Sequence, residues 1–207
     1  MMSLIGGRVI PFFTRSATGR DIQVPVIVDR AAMTLTPLAL LAWVCEAPAG
    51  VAAVLLLGAA LAQAVRVAFW QPVAARGKPI LWALPLAYVW IPIGLALLAA
   101  AQWMKIPTSA GVHALAVGAA GGLVIAMITR TARGHTGRTL QAGRPETLAY
   151  LLTFAAAVLR VSAAGLTGPL QGAAIHLAGL MFAAAFLVYA FVYSPWLIAA
   201  RADGRPD

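Results

Sequence analysis

Three side chains set inside long apolar runs can do chemistry: His113, Arg160 and His176. Neutral imidazole is a ligand for iron and copper, and two of them on facing helices are the usual axial pair of a b-type haem. An arginine beside such a pair matches a haem propionate or another anion. The plainer alternative is that the histidines join helices by hydrogen bonds and that Arg160 stretches to the membrane rim. One histidine per helix has no diagnostic spacing of the HExxH or paired CxxC kind, so residue type alone leaves both readings open.

His135 sits in different company. Residues 130–139 read RTARGHTGRT, with Arg130, Arg133 and Arg138 around it and Gly134 and Gly137 flanking it. A loop is expected here, and the backbone donors of a glycine turn with nearby arginines suit phosphate or propionate. An ordinary basic loop is the alternative. Cys45 and Met104 offer soft sulfur of the kind that favours copper(I), set against simple packing roles. Cys45 is the single cysteine, so no intrachain disulfide forms. No phosphate-binding loop, dinucleotide motif, nucleophile triad or carboxylate pair is present. Acidic residues are nearly missing from the apolar runs, which argues against a carboxylate proton relay.

The elements that must position these residues follow from composition. Of 207 residues, 62% are apolar and 10% charged. A soluble domain carries ~45–50% and ~25%. With a mean hydropathy of +0.88, soluble enzyme, disulfide scaffold and disordered chain are excluded. At ~20 apolar residues per crossing the chain supports about six spans. Apolar runs and proline, glycine and charge punctuation place them at 31–46, 49–70, 79–102, 108–130, 146–165 and 170–199. The fold class expected is therefore all-α, a polytopic transmembrane helical bundle. Residues 1–30 form an N-terminal segment, 31–199 the membrane domain and 200–207 a tail.

Within the first segment, residues 4–14 are too short to span and are expected at the interface, with Phe12 and Phe13 among the headgroups. Residues 22–28 read as a lead-in to the first span. No signal peptide is expected. Pro85 and Pro92 should bend the third span. Gly118 and Gly122 predict close helix packing. Trp82, Trp90, Trp103 and Trp196 read as belt residues at the interfaces.

The formal charge is +9, which in a soluble protein would suggest nucleic acid. Placement explains it otherwise. Thirteen of the fifteen basic residues fall at one end of the spans, and only Lys105 and Arg160 at the other. That asymmetry predicts both termini in the cytoplasm and no nucleic-acid partner. It also puts His113, Arg160 and His176 ~8–9 Å below the opposite rim, on three successive spans. Helical phase sets Arg160 with Ala149, Thr153, Ala156, Ala157 and Ala164, and His176 with Gly179, Ala183, Ala190 and Ser194. His113 shares a face with Ala116, Ala120 and Met127. Small residues mark packing faces, so all three polar groups are expected to point into the bundle.

Four segments carry a resemblance. Residues 6–14, GGRVIPFFT, and 113–138, beginning HALAVGAAGGLVIAMITR and ending GHTGR, are the specific pair; 81–94, LWALPLAYVWIPIG, and 151–161, LLTFAAAVLRV, are looser. In this order they resemble the NnrS family, the first matching the junction between its two halves. The resemblance implies a multi-pass protein of the bacterial inner membrane associated with haem b and copper. It also implies a role in nitric oxide metabolism or protection from nitrosative stress, and specifies no catalysed reaction. The family is about twice this length, with twelve spans, and this chain resembles its C-terminal half. A second copy, or a separate N-terminal half, would complete that assembly. Family members often carry a histidine where this chain has Pro85, which removes one potential ligand. Matched motifs contain His113, His135 and Arg160, whereas His176 rests on depth and phase. The cofactor-binding set is thus His113, His176, Arg160 and His135, with His113 and His176 as metal ligands. A small-solute or ion transporter and a non-catalytic structural subunit remain as alternatives, the former because of the proline-bearing third span.

Overall fold

The computed structural model describes residues 1–104 and 106–204. Lys105 and Arg205, assigned to opposite ends by charge, lie outside the described residues. Among those described, every regular element is helical, and six helices are long and apolar enough to cross a membrane. They are α2 (Val26–Val44), α3 (Ala49–Phe69), α4 (Pro79–Ala101), α5 (Thr108–His135), α6 (Arg144–Ser162) and α7 (Gly168–Leu197), preceded by α1 (Met2–Thr18). A proline stands at or near the start of each span: Pro25, Pro48, Pro79, Pro107, Pro145 and Pro169. There it removes only a donor that the first turn leaves unpaired anyway.

Successive spans pack on one another in chain order, from α2 on α3 through to α6 on α7. α4 lies at the centre and touches α1, α3, α5 and α6, while α2 and α7 are the outer helices, with most of their surface uncovered. α4 runs unbroken through Pro85 and Pro92, both buried. Its seam with α5 is built on glycine. A Cβ on Gly111 would come within 2.9 Å of the Gly94 carbonyl oxygen, and one on Gly118 would enter the Trp90 indole. A Cβ on Gly122 would lie 2.8 Å from Ala87 Cβ, so the close approach expected of Gly118 and Gly122 is present. Across Ala114–Gly121 α5 widens into a π-helical stretch.

Three sequence expectations change. α1 is a helix packed on α4 with Gly6, Ile10 and Pro11 buried, rather than a strip lying wholly at the interface. Phe12 is exposed, but Phe13 packs against the core. α2 begins at Val26, absorbing part of the lead-in, and α5 continues to His135, so the supposed loop starts as helix. Trp82 packs on Tyr150 and Phe154, and Trp90 is buried, so of the four tryptophans only Trp103 is largely exposed.

Candidate functional site

At the end away from the arginines, α5 and α7 each present one imidazole in the same way. His113 Nδ1 lies 2.6 Å from the Ser109 carbonyl oxygen, and His176 Nδ1 lies 2.7 Å from that of Gly172. Both rings are tied to the backbone four residues earlier, which makes Nδ1 the donor and leaves the Nε2 lone pair outward. Metal-binding histidines use this arrangement, the second nitrogen fixing tautomer and ring orientation. Arg160 is half-buried, on a face whose Ala149, Thr153, Ala156 and Ala157 are buried as expected.

Among the described residues no hydrogen bond or ion pair joins His113, Arg160 and His176 to one another. The first turns of α5 pack on α4 and α6, and α7 packs mainly on α6 while also meeting α5 at Gly121, where Phe182 lies. His176 faces outward rather than into the bundle, together with Gly179, Ala183, Ala190 and Ser194. The physical reason is that α7 is an outer helix covered mainly along one side, the side that carries Ala174, Ala178, Ala185 and Tyr193. Phase groups residues on a face but does not say which face is covered. Among the described residues no three His, Cys, Asp or Glu side chains gather as a metal set. Cys45 and Met104 are exposed.

Sequence reasoning missed a polar cluster at the arginine-rich end. Arg66, one of the residues assigned there by charge, is buried within α3. Its Nε donates to Asp29 Oδ1 at 2.8 Å, and its Nη1 donates to the Ser3 carbonyl at 2.8 Å and to Tyr88 Oη at 3.0 Å. Gln63, one turn earlier, donates to Ser3 Oγ at 2.7 Å and Thr36 Oγ1 at 2.8 Å, and accepts from Tyr88 Oη at 2.8 Å. The cluster joins α1, α2, α3 and α4. Gly7 lies over the guanidinium, and a Cβ there would collide with it. Gln63 was the available signal, a lone amide in an apolar run three residues before an arginine, hence on one helical face.

A second cluster joins α5, α6 and α7. Arg133 forms an ion pair with the buried Glu146, and Tyr193 Oη donates to the same carboxylate at 2.9 Å. Glu146 also accepts from the Gly143 backbone N–H at 2.8 Å, closing the first turn of α6. Arg133 and Arg138 both lie against the Trp196 ring.

His135 ends α5 and is exposed, some 33 Å along the helix from His113 at 1.5 Å per residue, so the two cannot share a ligand. The glycine turn beside it is a helix C-cap. Thr136, Gly137 and Arg138 donate their N–H groups to the carbonyls of Ala132, Gly134 and Arg133, and Gly137 takes the left-handed φ of 68° that such a cap requires. These donors are therefore not available to an external anion. The Asp203 carboxylate lies against Gly137 instead.

No curated protein and no solved structure matches the chain. The family model described as NnrS protein matches residues 1–201, nearly the whole sequence. With six apolar helices folded as one bundle, this match identifies the chain as a multi-pass membrane protein that belongs to the NnrS family.

Proposed function

We propose that this chain is a haem- and copper-binding membrane protein that acts in nitric oxide metabolism or in protection from nitrosative stress. The observation that carries the reading is the matched pair of imidazoles, His113 and His176, each with Nδ1 held by its own helix and Nε2 turned outward. Haem b or copper, when bound, would supply the redox-active centre to which nitric oxide coordinates. His113 and His176 are the residues to hold it, and Arg160 is the cation to pair with a propionate at that end. Because His176 is exposed on the outer helix α7, a second copy or a separate N-terminal half completes the site and the twelve-helix assembly. His176 on the bare face of α7 is where that half approaches.

The purified chain is expected to show a Soret band, with haem and copper found by metal analysis. His113→Ala and His176→Ala should each shift or remove the band while the protein stays folded. A folded chain free of haem and copper overturns the reading. Solute flux in proteoliposomes without a chromophore would point to a transporter, and inactivity with copurification of a partner to a structural subunit. This reading puts the protein in the bacterial inner membrane with both termini in the cytoplasm, supported by the one-sided distribution of its basic residues.

A further inference from the structure

A crevice of about 470 Å³ opens at the arginine-rich end between the last turn of α1, the first turn of α4, α5 and the loop before α6. Its polar lining is Ser16, Lys78, Arg130 and Gln141, and among the described residues no carboxylate lines it. Arg130 differs from Arg66 and Arg133 at this end. Arg66 and Arg133 each meet a carboxylate. Arg130 instead has its Cζ over the Phe13 ring, 3.7 Å from the centroid, and among the described residues no hydrogen bond or ion pair meets its guanidinium. The contact with Phe13 holds the guanidinium in place and leaves its donors to the crevice. Across from it, Lys78 Nζ uses one donor on the Ala17 carbonyl, at 2.9 Å, which fixes the ammonium at the mouth. Lys78 also precedes the first turn of α4, whose positive dipole end adds to the same field.

Two cations with spare donors and no acid between them form a cradle for a tetrahedral, multiply charged oxyanion. The position favours a group at membrane-surface depth. Leu140, at the rim, is exposed, and Arg130, Ser16 and Leu140 also line an adjoining hollow that holds Phe12 and His135. We propose that this crevice binds a phosphate group, as the headgroup of an anionic phospholipid or as free phosphate. It is a site separate from the imidazoles on α5 and α7, at the opposite end of the bundle.

The test uses the full chain in phosphatidylcholine nanodiscs, with tryptophan fluorescence following thermal unfolding. One arm adds inorganic phosphate, and the other replaces part of the lipid with phosphatidylglycerol. Wild-type protein should unfold at a higher temperature in at least one arm. A shift only with phosphatidylglycerol assigns the site to lipid, and a shift with phosphate alone assigns it to the free ion. Arg130→Gln should raise the concentration needed for half the shift by about tenfold. Gln141→Glu, a change at an exposed loop residue that puts an acid in the crevice, should do the same and serves if Arg130→Gln does not fold. Arg76→Gln removes an exposed cation at the same end but outside the crevice, and should keep the wild-type response. The proposal is overturned if neither arm shifts the wild type, if Gln141→Glu responds as the wild type does, or if Arg76→Gln loses as much as Arg130→Gln.

Discussion

Arg66 and Arg133 sit where a helix cannot hold a bare charge, and each has a carboxylate, a tyrosine hydroxyl and a carbonyl arranged around it. Breaking a buried pair leaves the surviving charge without compensation, which costs on the order of 3–5 kcal/mol. Glu146→Gln is therefore expected to lower the thermal unfolding midpoint sharply. The double change Glu146→Leu with Arg133→Met should recover much of that loss, because removing both charges removes the desolvation problem as well. A double variant as unstable as the single one would show that Tyr193, left without its acceptor, dominates the cluster. At this scale the sequence was only partly legible. Charge placement assigns Arg66 to the arginine-rich end but says nothing of its burial, because its partner Asp29 stands 37 residues away on another helix. The imidazoles were legible as residue types, and their common hold on a carbonyl four residues back was not, since it depends on side-chain rotamer.

At the scale of the helices, the α4/α5 seam is the contact most open to disruption. Gly118 lies against the Trp90 indole, so Gly118→Leu must displace a buried ring. Overpacking of this kind costs ~1–3 kcal/mol or more. A lower unfolding midpoint is expected, while Gly165→Leu, where a Cβ meets nothing, should leave it unchanged. Equal effects from both would remove the seam as the cause. The six spans were legible because length, hydropathy and proline punctuation are properties of the chain itself. The π-helical widening at Ala114–Gly121 was not, because ALAVGAAG offers almost no contrast between faces for periodicity to register. Nor was the bare face of α7. Its small residues look like a packing stripe, and only the position of α7 at the edge of the bundle leaves that stripe uncovered.

For the molecule as a whole, the one-sided charge predicts its orientation. A C-terminal green fluorescent protein fusion is expected to fluoresce and a C-terminal alkaline phosphatase fusion to be inactive, as for a cytoplasmic terminus. An active phosphatase fusion would reverse the assigned topology. The buried ion pairs do not weaken the asymmetry, because the positive-inside effect counts basic residues and gives acids little weight.

The seat of α1 also imposes an order in time. Ser3 is held by Arg66 and Tyr88, which follow it by 63 and 85 residues. At ~5–20 residues per second of synthesis, α1 waits roughly 4–17 s between leaving the ribosome and the arrival of Tyr88. α1 thus docks only after α2, α3 and α4 have been made. Until α4 arrives, its apolar side must be sheltered by lipid or by the insertion machinery.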